Sequence, residues 1–364
     1  MQDKYRIDNH KLIFHPRRVA QWQEGHYDWE SAKKIYPIYM EVSPVGYCNH
    51  HCVFCAVDYI GYKNREIPYE ILKSTLTEMA QFGVKSVMFA GEGEPTLYKN
   101  LSEILEYCTK IGIDTALTTN MVPFNEKNTE VIIKNCKWIK VSINAGNSET
   151  YAKIHGTNEN NFNMVINNMK RAVSLRKEKG YSCTLGAQIL LLPDNKDTLI
   201  ELAQITKEAG FDYLVVKPYS QHLSSITDKY KDISYSEYLY IDEQLKSYNS
   251  DNFKVIFRKQ TMNKLSDPDD RYAKCRSVPF FWGYIMADGS VYGCSAYLEN
   301  DKFCYGNINE NNFQDIWESN KRKDCYEFVK DKMNAVDCRV NCRMDDINRY
   351  LSELDNPCEH VNFI

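Results

Sequence analysis

From Ile38 to about Lys217 the chain alternates short apolar runs with longer amphipathic stretches, the pattern of repeated strand–helix units. The runs Ile38 to Ser43, Ser86 to Phe89, Thr115 to Thr119, Trp138 to Ile143, Leu185 to Leu192 and Tyr213 to Val216 predict six strands. Helices are predicted near Tyr69 to Phe82, Leu101 to Ile111, Glu126 to Asn135, Asn161 to Lys179 and Asp197 to Ala209, with Gly83 and Gly210 placed to cap two of them. Parallel strands joined by crossover helices put ligands at the strands' C-terminal ends, so chemistry is expected in the residues that follow each strand. After Lys217 the pattern changes. Ser220 to Ser236 is polar, a helix is predicted near Glu237 to Tyr248 and a short strand near Phe253 to Phe257. From Cys275 helical periodicity is weak and cysteines are dense, as in a small unit held by metal rather than by a large apolar core. The organisation read from this is an extension over 1–37, an α/β unit over 38–230, a connecting segment over 231–274 and a cysteine-rich unit over 275–364.

Composition narrows the function classes. The 364 residues are 43% hydrophobic, enough for a core, and carry 45 basic against 49 acidic side chains for a net charge of -4. That balance argues against a bulk electrostatic hold on nucleic acid or anionic lipid. No run approaches the roughly 18 apolar residues of a membrane span, and the polar start MQDKYRIDNHK lacks the apolar centre of a secretory signal, so a cytoplasmic location is expected.

The 13 cysteines are the anomaly, since a reducing compartment disfavours disulfides. Cys48, Cys52 and Cys55 fall within eight residues, directly after the first predicted strand. Three thiolates in one loop can face one point and supply one ligand fewer than a four-iron cluster has irons, leaving one iron open to substrate or cofactor. Zinc is the competing reading, with His50 or His51 completing a tetrahedral site; three small buried residues without metal are the third. Cys108, Cys136 and Cys183, isolated in apolar or helical surroundings, read as buried structural thiols.

The spacing C-x3-C-x2-C, with Phe54 before the last cysteine, resembles the signature of the radical S-adenosylmethionine (SAM) superfamily. The resemblance covers about 38–217 and implies a partial (β/α)6 barrel of the radical SAM type. It also implies a [4Fe-4S] cluster whose open iron chelates the methionine amino and carboxylate groups of S-adenosylmethionine, with electron delivery yielding a 5'-deoxyadenosyl radical. Zinc becomes the lesser alternative. Gly91-Glu92-Gly93-Glu94-Pro95 after the second strand is similar to the family's Gly-Glu-Pro segment, which receives the methionine amino group. Glu94 is expected there as a solvent-facing acceptor of little packing value. Asn120 at the end of the third strand, and Ser142 with Asn144 at the end of the fourth, occupy positions that in the family bind methionine or ribose hydroxyls. Lys217, Gln221 and His222, after the sixth strand, are candidate substrate contacts.

Cys275, thirteen residues, Gly289, four residues and Cys294 resemble the opening of the SPASM and twitch extensions found behind this barrel, and Cys338 with Cys342 closes the set. The block C-x2-C-x5-C-x3-C of the full SPASM pattern is missing, which favours the twitch type with one auxiliary [4Fe-4S] cluster on Cys275, Cys294, Cys338 and Cys342. Structural zinc would need the same number of ligands. Cys304, Cys325 and Cys358 stay outside the set.

The expected activity is therefore hydrogen abstraction from a small hydroxylated substrate (a sugar, aminocyclitol or nucleotide-linked sugar), ending in oxidation or epimerisation, with a flavodoxin- or ferredoxin-like electron donor. A peptide substrate is the runner-up, and a zinc-stabilised binding protein is the alternative of another class. An epimerase needs a hydrogen donor, and Cys304 is the candidate for that catalytic role.

Overall fold

The computed structural model describes residues 4–266 and 271–363; four residues of the expected connecting segment thus lie outside the described residues. Ten strands form one sheet: β1 (Tyr39–Val42), β2 (Ser86–Phe89), β3 (Asp114–Thr119), β4 (Cys136–Ser142), β5 (Thr184–Leu191), β6 (Tyr213–Pro218), β7 (Lys254–Phe257), β8 (Trp282–Ile285), β9 (Ser290–Tyr292) and β10 (Cys304–Asn307). Their order is β10-β9-β8-β1-β2-β3-β4-β5-β6-β7. Pairing is parallel from β8 through β1 to β7, and antiparallel across β8, β9 and β10.

The six expected strands are all present, and the helices between them cover Tyr69–Gln81, Leu101–Lys110, Glu126–Asn135, Asn160–Lys179 and Leu199–Glu208. Alternation along each strand decides which side chains enter the barrel. In β1, Met40 and Val42 join the helix-packed core, whereas Tyr39 and Glu41 line an internal cavity. In β4, Ile139 and Val141 face the core while Trp138, Lys140 and Ser142 face inward.

Two expectations change. The barrel does not stop at six strands, because β7 adds to β6 and β8 pairs with β1 at the opposite edge. Nor is the cysteine-rich unit poor in core. Trp282, Phe303, Tyr305, Phe313 and Trp317 are buried in the same apolar cluster as the barrel, and helices run over Asn320–Asp331 and Asp345–Asp355. Buried Arg322 ties this unit to the N-terminal extension by donating to the carbonyls of Trp317 (2.6 Å), Pro279 (3.1 Å) and Ile35 (3.2 Å). No helix among the described residues is long and apolar enough to cross a membrane.

Candidate active site

A cavity of about 840 Å³ occupies the barrel interior. Ile7, the residues from Asn9 to Leu12, and His15 wall it beside Ile38 and Ser86, near the strands' N-terminal ends. Cys48, Cys52, Phe54 and Cys55 wall it at the C-terminal ends, together with Gly91, Gly93, Glu94, Asn120, Ser142 and Asn144.

The cysteine loop is suspended from its surroundings by backbone bonds. His51 and Val53 N–H donate to the carbonyls of His155 and Ile154 (both 3.0 Å), at the end of a helix over Ser148–His155. The chain can pass there because the next residue is Gly156, at φ +56°; a Cβ would lie 2.3 Å from the His51 carbonyl oxygen. Gly93 has the same function on the other side, where a Cβ would lie 2.1 Å from the Tyr47 oxygen. Asp58, just past the loop, accepts from Ser225 Oγ (3.0 Å), Ile226 N (2.9 Å) and Thr227 N (2.8 Å), and so fixes the polar segment after β6.

Burial pushes the Cys48 thiol up to about 12 and raises Cys52 and Cys55, with neighbouring thiols adding repulsion at Cys48 and Cys52. Such a set is poorly arranged for bare thiolates and suited to bound iron, whose positive charge favours deprotonation. Among the described residues, the only group with three donor atoms within 4.8 Å of one another is His50, Cys52 and His155. A tetrahedral zinc with bonds of about 2.3 Å would draw its thiolates to within about 3.8 Å of each other. Neither set of cysteines is that tight, which fits iron–sulfur clusters, where each thiolate serves its own iron. His155, held neutral by burial, places Nδ1 3.2 Å from the Cys52 sulfur, with Nε2 3.0 Å from the Ile143 oxygen.

Glu94 departs from expectation. It is 3% exposed, and its carboxylate accepts from Thr96 N (3.1 Å), Thr96 Oγ1 (2.6 Å), Thr119 Oγ1 (2.5 Å) and Asn120 N (2.8 Å). Three of these donors converge on Oε1 and one reaches Oε2, so the protein holds the carboxylate in place while Oε2 keeps acceptor capacity on the cavity wall for an ammonium. Glu94→Gln should then turn an amide N–H toward the Asn120 N–H or its Thr neighbours. The expected loss of about 2 kcal/mol of stability, measured by denaturant unfolding, contradicts a purely ligand-binding role. Glu92 does not line the cavity; it accepts from Arg65 Nη2 (2.6 Å) and Ala287 N (2.8 Å), joining this turn to the one between β8 and β9. Asn120 donates to Asn49 Oδ1 (2.7 Å) in the cysteine loop, and Asn144 accepts from Leu190 N (2.8 Å). Ser142 lines the cavity.

Of the three substrate candidates, Lys217 and His222 line the cavity and Gln221 does not. Gln221 donates from Nε2 to the Thr227 carbonyl (2.8 Å), while its buried Oε1 has no hydrogen-bond partner among the described residues. His222 is committed at both nitrogens, donating from Nε2 to the Ser295 carbonyl (3.1 Å) and accepting at Nδ1 from Ser224 N (3.1 Å). Sequence reasoning missed Glu41, Lys140, Arg258, Arg339 and Arg343, all on the cavity wall. Arg343 pairs with Glu41 at 2.9 Å, Arg258 with Asp8 at 2.9 Å, and Arg339 donates to the Ser220 carbonyl at 2.8 Å. Strand alternation was the available signal for Glu41 and Lys140.

Cys275, Cys294, Cys338 and Cys342 line one pocket with Tyr272, Trp282 and Phe303. Burial raises Cys294, and the other three thiols raise it further, so the four converge. Cys342 and Arg343 also line the barrel cavity, which places the two cysteine sets on walls of one space. Cys304 lies on β10 with its sulfur 3.7 Å from the Gly306 oxygen and lines neither cavity; the same holds for buried Cys325 and exposed Cys358.

Residues 42–212 match the family model of the radical SAM superfamily, and residues 275–343 match SPASM, an iron-sulfur cluster-binding domain. The chain belongs to the radical SAM superfamily. It is an enzyme with a SPASM domain, and these domains imply a [4Fe-4S] cluster, S-adenosylmethionine and auxiliary iron–sulfur ligation. The tungsten-containing aldehyde ferredoxin oxidoreductase cofactor-modifying protein of Pyrococcus furiosus is 21% identical over 349 residues, 88% of this radical SAM chain and 91% of that protein. A probable GTP 3',8-cyclase of Saccharolobus islandicus is 30% identical over 129 residues, 35% of this chain and 41% of the cyclase. In fold, the chain is similar to Streptococcus suis SuiB bound to S-adenosylmethionine (TM-score 0.64, 21% identity, covering 88% of this chain and 72% of that one). It is also similar to anSMEcpe with bound AdoMet (TM-score 0.55, 21% identity, covering 81% and 83%).

Proposed function

We propose that this enzyme abstracts hydrogen from a small hydroxylated substrate held in the barrel cavity and releases it oxidised. In this reading Cys48, Cys52 and Cys55 hold the [4Fe-4S] cluster that binds S-adenosylmethionine, and Cys275, Cys294, Cys338 and Cys342 hold one auxiliary cluster. Bound there, the first cluster and S-adenosylmethionine supply one-electron cleavage of the sulfonium and the hydrogen abstraction that follows; the protein positions and shields the reacting carbon. The observation that carries the proposal is the shared cavity, walled by the three-cysteine loop at one place and by Cys342 at another.

Oxidation is favoured over epimerisation by the thiols. Inversion through a thiol needs a cysteine beside the substrate that is free to donate hydrogen. The cysteines on the cavity wall are Cys48, Cys52, Cys55 and Cys342, all members of the two ligand sets. Cys304 is not among them. A peptide is the second reading, favoured by exposed Leu223 (48%) and Ile226 (75%) in the segment that Asp58 fixes beside the cysteine loop.

The test is a product search. Anaerobically reconstituted enzyme, reduced with dithionite in deuterated water, is supplied with the low-mass and the peptide fractions of a cell extract. The expected product comes from the low-mass fraction, is two hydrogens lighter than its precursor, and forms equally with Cys304→Ala. Deuterium at an inverted carbon, lost in that variant, would restore the epimerase; modification confined to the peptide fraction would select the second reading.

A further inference from the structure

A cation inside a protein is normally met by a carboxylate, because an unpaired buried charge is costly. Around the barrel cavity that pairing is mostly observed: Arg258 has Asp8, Arg343 has Glu41, and Lys264 has Asp345 at 2.9 Å. Lys140 on β4 and Lys217 on β6 break the pattern. Among the described residues neither ammonium has an ion-pair or hydrogen-bond partner, and the contact of Lys140 is the face of Trp138, 5.1 Å away. The two are neighbours: burial with the charges of Arg343, Arg258 and Lys11 pushes Lys140 down to about 8, and burial with the charges of Lys140, Arg258, Arg343 and Arg339 pushes Lys217 well below its ordinary value. The nearby carboxylate, Glu41, is held by Arg343.

We infer that Lys140 and Lys217, with Arg339 beside them, form a subsite for a phosphoryl group of the substrate. The assignment rests on the proposed reading of the cavity as the substrate site and narrows that substrate to a phosphate ester. A dianion would favour the protonated form of both lysines at once, whereas a single carboxylate would balance one of them. Lysine suits phosphate as a point charge, needing no bidentate geometry. The placement is also productive. Lys140 lies two residues before Ser142, one inward position deeper than the residues at the strand ends. A phosphate anchored there leaves the rest of the molecule directed toward the cysteine loop.

Pyrophosphate binding to the reconstituted holoenzyme, followed by calorimetry without turnover, tests the subsite independently of the proposed oxidation. We expect saturable binding at one site, weakened about tenfold or more by Lys140→Met and by Lys217→Met, the loss of one charge-assisted contact. The ligand-free variants should be at least as thermally stable as wild type, since among the described residues neither lysine makes an ion pair or hydrogen bond that the substitution would remove; a lysine serving structure would give the opposite. Lys140→Gln and Lys217→Gln replace either variant that fails to fold, with the same loss expected. Wild type that does not bind pyrophosphate, variants that bind within twofold of wild type, or malonate binding as tightly as pyrophosphate would each overturn the inference. A positive titration with no oxidised product would leave the subsite standing and dismiss the oxidation.

Discussion

Replacing Cys48, Cys52 and Cys55 together by Ala should halve the iron of the anaerobically purified protein, from about eight to about four per chain, and abolish formation of 5'-deoxyadenosine. The effect is this large because the three thiols sit in one loop and, in the proposed assignment, serve one metal group that their removal leaves without ligands. The second half of the iron should persist, since Cys275, Cys294, Cys338 and Cys342 line a separate pocket whose walls come from residues 271–348, away from the three-cysteine loop. The fold should persist as well. The loop's backbone is held by His155, Ile154 and Tyr47, none of which the substitution touches, through bonds such as Glu94 N–H to the Tyr47 oxygen at 3.0 Å. Loss of all iron would mean that the two sets are not independent, and loss of none would remove the loop from the ligand sets.

Arg343→Met should destabilise the protein by about 2–4 kcal/mol in denaturant unfolding, because it leaves the Glu41 carboxylate buried without its partner. Glu41 projects from β1 into the barrel, where burial pushes its carboxyl up and Arg343 is the largest opposing influence. The lower part of the range is expected, since Lys217 and Lys140 stand near enough to offset some of the lost charge. The pair also joins the C-terminal unit to the first barrel strand, next to Cys342. A Glu41→Gln/Arg343→Met double variant should therefore recover a large part of the loss, and the double-mutant cycle gives the coupling directly. Additive losses in the cycle would show that the two side chains do not act as a pair.

The first six strands and the helices between them were legible because buried parallel strands carry their own apolar signal and the crossover helices are amphipathic. The three-cysteine loop was legible for a chemical reason: three thiols within eight residues have few other uses. What escaped was tertiary. Glu94 reads as an exposed turn residue, yet Thr119 and Asn120, 25 and 26 residues further on, bury it. The helix over Ser148–His155 is not among the predicted elements, and His155, which approaches Cys52 from 103 residues away, had no local signal. Likewise β8 looked like part of a separate unit, and its parallel pairing with β1 unites residues more than 240 positions apart. Lys140 was within reach of the sequence. In Trp138-Ile139-Lys140-Val141-Ser142 the alternation that sends Ile139 and Val141 to the core sends the lysine to the cavity.

The central claim is that one cysteine set leaves an iron open to S-adenosylmethionine while the other is fully ligated. Electron paramagnetic resonance of the dithionite-reduced enzyme, recorded before and after addition of S-adenosylmethionine, addresses it most directly. The account predicts two cluster signals, of which S-adenosylmethionine shifts one and leaves the other unchanged; a single signal, or two that S-adenosylmethionine does not alter, would contradict it.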